Sequence, residues 1–392
     1  MGALESAEQT PSRGRVLVFH TVAPPPFIGG AERSVLADID KLVAAGFDVR
    51  LAGLVPKDSQ EETFAPSYRF EIARRHIPNI YWPWAEKRPR DFLRRALWQL
   101  LDLWNPRAQL LVNRLVREFQ PDIVLTQNLR GWSFAPWMAK RGSARLVHFV
   151  RDYGLSCVKS TEFRDGQLCG RLCGSCHLRS AVAKTVPQPD AVGGVSRAVL
   201  NAQRERGLLR SQPRFVSHPV ASLVSPDPQR ERDVELGFLG RVGVEKGVDL
   251  LIRAAGQTRL KVSIAGPVTS EEKGELAALD TEVNFLGVVD ASNFLRRTQV
   301  LVVPSLWREP FGRVVLEAAQ SGAKVLIADH PGLVEAAKVS GGLWASFRAG
   351  DEADLAARLR DIESGLLSWK RSAAPAANSS MVDALIRSRR SE

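Results

Sequence analysis

Two carboxylates, Glu309 and Glu317, stand eight positions apart across a segment that changes character from strand to helix. The run Val300-Leu301-Val302-Val303 is continuously apolar and β-branched, the pattern of a buried parallel strand. Pro310 and Gly312 break it, and from Arg313 onward Val314, Val315, Leu316, Ala318 and Ala319 suit a buried helix, with residues 311 to 314 as its first turn. Free backbone N–H groups in such a turn can cradle an anion. Glu309 would then end the strand and Glu317 lie about two turns along the helix, at opposite ends of a ligand whose diphosphate lies between. The plainer alternative is that Glu317 is a solvated helix residue. A second constellation is Gly240-Arg241-Val242-Gly243-Val244-Glu245-Lys246-Gly247. An Arg and a Lys five positions apart on a Gly-rich loop can converge on one diphosphate and neutralise charge that grows as a sugar–phosphate bond breaks, although basic residues on a loop are commonly just solvated. A third is the pair Gly29-Gly30, ahead of a helical pattern from Ala31 to Ala45. Backbone amides there could approach a phosphate or sugar, or the glycines could simply make a turn.

These motifs resemble those of the retaining glycosyltransferases of family 4, which move a sugar from a nucleotide diphosphate to an acceptor. Glu309-x7-Glu317 is similar to the family's Glu-x7-Glu motif, and Gly240-Arg241-x4-Lys246-Gly247 to its Gly-Arg-x4-Lys-Gly motif. Gly29-Gly30-Ala31-Glu32 is similar to its first loop, and Gly266-Pro267 to a loop near the nucleotide base. The resemblance implies that Glu309 contacts the donor sugar, Glu317 the ribose, and the backbone of Phe311, Gly312, Arg313 and Val314 the diphosphate. Arg241 and Lys246 are implied as diphosphate ligands, with Gly29, Gly30 and Gly266 lining the donor. It also implies the GT-B fold and retention of anomeric configuration, the leaving diphosphate helping to deprotonate the attacking hydroxyl. No cofactor or divalent metal is then required for catalysis. The implied partners are a nucleotide-diphosphate sugar donor and a glycan or lipid-linked acceptor, in cell-surface polysaccharide assembly. An epimerase or phosphorylase of the same fold, or a non-catalytic nucleotide- or glycan-binding scaffold, is the alternative.

One position departs from the family. Where many members carry a His-Asp pair after a strand, this chain has Arg151-Asp152. Arginine is no neutral base near pH 7, though it can bind a phosphate or an acidic sugar. Asp152 is kept as a candidate for holding an acceptor hydroxyl, beside Arg241, Lys246 and Glu309 in the catalytic set.

All four cysteines, Cys157, Cys169, Cys173 and Cys176, fall within twenty residues. In a reducing compartment such clustering favours a structural zinc site, with His177 or His148 as substitutes. Two disulfides, a redox-labile pair or unligated thiols are the other readings.

The elements that must position these residues follow from periodicity and punctuation. Val16–His20 reads as a first strand, the helical pattern from Ala31 follows, and a second strand lies near Val49–Leu54, a parallel βαβ unit. Further strands are expected at 122–128, 144–150, 191–196 and 215–220, with Ser196 capping the helix from Arg197. The second half shows short apolar strands at 234–239, 261–265, 283–286, 300–303 and 324–328. The expected plan is two doubly wound Rossmann-like α/β domains facing each other across a cleft. A polar leader (1–14) precedes an N-terminal, acceptor-side domain (15–220). A Pro- and charge-rich linker (221–233) joins it to a C-terminal, nucleotide-sugar domain (234–371), and a tail or helix (372–392) returns toward the first domain.

The chain of 392 residues, 44% hydrophobic, carries a net charge of +11 and a pI near 9.8, which favours an anionic surface or substrate. No nucleic-acid-binding motif is present, and the basic residues are scattered, so nucleic acid is not expected as a partner. No apolar run reaches the ~20 residues of a membrane span, and the first residues lack a secretory pattern. A cytoplasmic protein is expected, associated with the inner face of the membrane if residues 57–118 bind it. There, Tyr81-Trp82-Pro83-Trp84 precedes a stretch, 91–104, that alternates basic and apolar faces at helical spacing. Such a helix suits an anionic lipid interface, or else its aromatics pack on the N-terminal domain.

Overall fold

A computed structural model describes residues 12–24, 30–57, 59–64, 69–77, 92–219, 231–279, 282–372 and 381–389. Gly29, the aromatic run 81–84, most of the leader, residue 220 and residues 221–230 of the expected linker lie outside the described residues.

The first unit contains β1 (Arg15–Val22), α1 (Gly30–Ala44), β2 (Asp48–Leu54), β3 (Glu62–Phe64), β4 (Glu71–Arg75), α2 (Phe92–Leu101), α3 (Pro106–Phe119), β5 (Ile123–Thr126) and β6 (Arg145–Val150). A small hairpin of β7 (Phe163–Arg164) and β8 (Gln167–Leu168) follows, then α4 (Gly174–Thr185), β9 (Ala191–Gly194), α5 (Arg197–Glu205) and β10 (Arg214–Val216). The sheet order is β10-β9-β6-β5-β1-β2-β4-β3, parallel except for the edge strand β3.

The second unit runs β11 (Val234–Leu239), α6 (Val248–Ala255), β12 (Val262–Ala265), α7 (Ser270–Ala277), β13 (Val283–Gly287), α8 (Ala291–Arg297), β14 (Thr298–Val303), α9 (Arg313–Gln320) and β15 (Lys324–Ala328). It closes with α10 (Pro331–Lys338), β16 (Leu343–Phe347), α11 (Glu352–Glu363) and β17 (Lys370–Arg371). Its order is β13-β12-β11-β14-β15-β16-β17, parallel except for β17.

Both sheets have the doubly wound α/β plan, and their orders locate the functional edges. In the first sheet β1 lies between β2 and β5, and in the second β11 lies between β12 and β14. The chain reverses its winding direction at these strands, so the loops leaving their carboxyl ends diverge and open a crevice. The loop after β1 leads to Gly30 at the start of α1, the loop after β11 carries Arg241 and Lys246, and the loops after the neighbouring strands β5 and β14 carry Asn128 and Glu309.

The strands are buried on both faces, as their unbroken apolar runs require. Val16, Leu17, Val18 and Phe19 of β1 and Leu301 and Val302 of β14 are fully inaccessible. Trp132 and Trp137 are also fully buried, each with its indole N–H satisfied, by the His20 carbonyl at 2.7 Å and Thr126 Oγ1 at 3.1 Å.

The units meet through a polar junction beside α5. Ser196 Oγ accepts the Val199 N–H at 3.0 Å, capping α5, and donates to the Pro310 carbonyl at 2.5 Å. Glu335 of α10 accepts the N–H groups of Arg197 (2.8 Å) and Ala198 (3.0 Å), and its Oε1 lies 2.9 Å from His218 Nε2. The His218 ring stacks on Phe311, with centroids 5.0 Å apart. A last helix, α12 (Met381–Arg389), packs on α1 and β10, and its first N–H bonds Ser217 Oγ at 3.3 Å.

Candidate functional site

Glu309 lies in the loop between β14 and α9 with only 9% of its surface exposed. Its Oε1 accepts three donors: Lys246 Nζ at 2.6 Å, Ser305 Oγ at 3.0 Å and Trp307 Nε1 at 3.0 Å. The Lys246 ammonium also lies 5.3 Å from the Trp307 ring centroid. Two loops from different strands therefore converge on one carboxylate. Backbone bonds hold them together, since the Glu245 carbonyl accepts the N–H groups of Leu306 (3.0 Å) and Trp307 (3.3 Å). Gly247 makes this approach possible: its φ is +64°, and a Cβ there would sit 2.2 Å from the Pro304 carbonyl oxygen. On the far side of the loop, buried His330 has Nε2 3.0 Å from the Ser305 carbonyl, and burial holds its pKa below the usual value.

Gly312 starts α9 in the left-handed region, φ +90°, with no side-chain cap. A helix begun this way presents main-chain amides, the arrangement that anions occupy. Arg313 and Val314 form its first turn, while Phe311 is buried behind it against His218. Gly266 follows β12, its N–H bonded to the Gly287 carbonyl at 2.7 Å.

Several expected pairings differ. Arg241 and Lys246 are engaged separately: the Arg241 side chain is 62% exposed and paired with Glu245, while Lys246 holds Glu309. Glu317, expected to face a ribose, takes Arg313 Nε at 3.0 Å and Nη2 at 2.5 Å on Oε1. The i,i+4 spacing on one helix face explains the pair. Arg313 Nη1 also crosses to the first unit, reaching the Gly30 carbonyl at 3.1 Å and Ser34 Oγ at 3.4 Å.

Arg151 does not offer its guanidinium to a phosphate. The side chain is buried, lies 4.9 Å over Phe149, and bonds Gln127 Oε1 and the Asp38 carboxylate of α1. Burial pulls its pKa down and Asp38 opposes the shift, the compensation that a buried guanidinium needs. Asp152 is likewise engaged, accepting Asn128 Nδ2 at 2.8 Å and the Gly154 N–H at 2.7 Å. Burial pushes its pKa up against that N–H and the charges of Arg130, Arg179 and His20.

Sequence reasoning passed over His20 and Glu32. The buried imidazole near the end of β1 has Nε2 3.3 Å from Glu32 Oε1. The available signal was positional: a His closing a strand, and a carboxylate just after the glycine pair.

The cysteines are all free thiols; Cys157 and Cys176 are buried, Cys169 is partly exposed and Cys173 exposed. The Cys157 and Cys176 side chains adjoin, and their mutual hydrogen bond depresses the pKa of Cys157 and raises that of Cys176. Among the described residues no group of three or more His, Cys, Asp or Glu is arranged to hold a metal ion. Cys173 also adjoins Cys176, and burial together with the nearby Cys157 and Cys173 raises the pKa of Cys169, so all four thiols share one neighbourhood.

Two doubly wound α/β units, each built on a parallel sheet, define the GT-B architecture of the glycosyltransferases. Residues 233–364 match the family model described as Glycosyl transferases group 1, and residues 29–218 match a Glycosyl transferase 4-like domain. The chain is 30% identical over 329 residues to an uncharacterized 42.6 kDa protein in the cps region of Klebsiella pneumoniae, covering 83% of this chain and 87% of that one. Among solved structures, sucrose-phosphate synthase from Thermosynechococcus elongatus superposes with a TM-score of 0.69 at 18% identity, covering 90% of each chain. Anabaena Alr3699/HepE in complex with UDP and glucose gives 0.61 at 18% identity, covering 96% of this chain and 95% of that one. This chain belongs to the group 1 glycosyltransferases with a glycosyl transferase 4-like domain.

Proposed function

We propose that this glycosyltransferase moves a hexosyl group from a nucleotide-diphosphate sugar to a hydroxyl of a glycan or lipid-linked acceptor, with retention of anomeric configuration. The observation that carries the reading is the Lys246–Glu309 pair beside the uncapped start of α9. A lysine and helix-terminal amides stabilise a departing diphosphate, and a carboxylate next to them hydrogen-bonds the sugar it leaves behind. Those groups supply the electrostatics without a divalent metal. A diphosphate oxygen accepts the proton of the attacking hydroxyl, so no enzymic nucleophile is needed. Arg241 is exposed enough to swing from Glu245 onto the diphosphate, and Glu317 would share its second oxygen with the ribose. The likeness to a protein of a cps region supports a setting in cell-surface polysaccharide assembly, at the cytoplasmic face of the membrane. No helix among the described residues is long and apolar enough to cross a membrane.

The test is incubation with a panel of nucleotide sugars, following nucleoside diphosphate release with and without acceptor, in chelator throughout. Transfer that survives chelation and gives a product of unchanged anomeric configuration by NMR is expected. Lys246→Ala and Glu309→Ala are expected to lose it by at least about 10²-fold. Unchanged activity in both variants sinks the site, and tight nucleotide binding without turnover would instead select a binding protein.

A further inference from the structure

The four cysteines come from three pieces of one loop. Cys157 lies in a tight turn after β6, its N–H on the Tyr153 carbonyl at 2.8 Å and its own carbonyl accepting the Ser160 N–H at 3.0 Å. Cys169 follows the hairpin of β7 and β8, its N–H on the Glu162 carbonyl at 2.8 Å. Cys173 immediately precedes α4, and Cys176 lies in the first turn of that helix. Cys176 is the hub. Its thiol is hydrogen-bonded to those of Cys157 and Cys173, and Cys169 lies close enough to sense the charges of the same two.

The backbone around these sulfurs suits thiolates. The N–H groups of Lys159, Thr161 and Glu162 are directed at Cys157 Sγ, that of Val158 at Cys176 Sγ and that of Cys176 at Cys173 Sγ. Amide donors converging on sulfur stabilise negative charge there, whereas neutral sulfur is a weak acceptor and gains little from them. Thiolates this close repel one another unless a cation lies among them. A divalent ion with four thiolates carries net negative charge, and a positive fringe is in place to offset it. The charge of Lys159 reaches Cys169, while Arg206 Nη2 donates to the Cys169 carbonyl at 3.3 Å and to Glu162 at 3.2 Å. Neither candidate histidine is needed: His148 Nδ1 is 3.0 Å from Thr126 Oγ1 inside the sheet, and His177 is exposed. The sulfurs are grouped about Cys176 rather than on a common centre, so closing the set takes side-chain rotation at Cys169 and Cys173, the two less buried members.

We propose that Cys157, Cys169, Cys173 and Cys176 bind one Zn²⁺ as a four-thiolate structural site that clasps residues 153–176 onto α4. Four soft ligands with no position left for water select a structural zinc rather than a catalytic one. The proposal is independent of the donor reading, yet it bears on the crevice. Arg179, about one turn along α4 from Cys176, bonds the Gly154 carbonyl and, at 2.8 Å, the buried Asp102, and the Gly154 N–H bonds Asp152. The clasp thus fixes the loop that holds Asp152.

The test uses the full chain, purified without chelator and assayed for metal by plasma mass spectrometry, then stripped under reducing conditions and reloaded with Co²⁺ or Zn²⁺. About one zinc per chain is expected, and the Co²⁺ form is expected to show the charge-transfer and strong d–d bands of a tetrahedral thiolate site. Stripping is expected to lower the melting temperature and open the exposed Lys159 and Arg164 to trypsin, and zinc to reverse both. Cys169→Ser and Cys173→Ser are expected to bind zinc at least about tenfold more weakly, and His177→Gln to bind it as wild type does. These two cysteines are chosen because they are less buried than Cys157 and Cys176, and circular dichroism checks that the variants fold. Three outcomes overturn the proposal: no stoichiometric metal in fresh protein, full zinc retention by both serine variants, or a disulfide among the four in protein alkylated at lysis. The last would select a redox pair instead.

Discussion

Arg313 makes a tie between the two units whose removal should change how they move. Its Nη1 donates to the Gly30 carbonyl at 3.1 Å across the crevice, while Nε and Nη2 hold Glu317 on its own helix. A hydrogen bond with one charged partner contributes about 1.5–3 kcal/mol, and the 3.4 Å contact to Ser34 is too long to add much. Arg313→Met therefore lowers the free energy favouring the closed arrangement by about 2 kcal/mol, roughly a 30-fold shift in the open-to-closed ratio. The junction at Glu335, Ser196 and His218 is untouched, so the expected change is a hinge opening about that junction rather than separation. Small-angle scattering, with fluorescence transfer between labels on α1 and α9, would read it with and without a nucleoside diphosphate. The variant is expected to be more open when free and to close by a larger amplitude when nucleotide binds. Scattering and transfer identical to wild type in both states would show that the contact contributes no net free energy, which would refute the reasoning.

Arg179→Leu leaves the Asp102 carboxylate buried with one N–H partner and is expected to destabilise the fold by about 3–5 kcal/mol in chemical denaturation, with Asp102→Leu/Arg179→Leu recovering much of the loss. Burial pushes the Glu335 carboxyl up, but the His218 ring and the amides of Arg197 and Ala198 outweigh it, so its pKa lies below the usual one. That depressed value means stabilisation fully present above the unfolded pKa of about 4.3 and lost as pH falls through the folded value. The melting-temperature gap between wild type and Glu335→Gln is thus expected to close in acid below about pH 4, and a gap constant from pH 7 to 3 would count against the assignment. Metal analysis of freshly purified protein checks the zinc expectation: about one zinc per chain, lost in Cys157→Ser, would show the four thiols closing on an ion, and no stoichiometric metal would end it.

What could be read from the sequence was local. Val300–Val303 and Val234–Leu239 announce themselves as strands because a strand covered on both faces has no polar side to interrupt it. Gly247 and Gly312 mark turns because no other residue accommodates their backbone there. The edge pair β3–β4 escaped notice because its alternating charges resemble a solvated loop. Only pairing reveals the ladder, with Glu62 on Arg74 and Glu71 on Arg50. The destinations of charges were illegible for the same reason. Arg151 and Asp38 lie 113 positions apart, and Arg313 and Gly30 lie 283 apart. Nothing in either local pattern says that they meet.

Position 151 shows how such a pairing alters the meaning of a residue. An arginine placed where the resemblance expects a histidine would, if free, add a full positive charge to the crevice. Here Asp38 accompanies it, both side chains only 6% exposed, so the substitution is close to neutral for the field that a donor meets. Nor is this strand edge without an imidazole. β1 is separated from β6 only by β5, and His20 near its end pairs with Glu32, whose charge Arg151 and its neighbours also sense. Arg151, Asp38, His20 and Glu32 thus form one compensated cluster where the first sheet faces Arg313. The change at 151 is read correctly only together with the carboxylate that neutralises it.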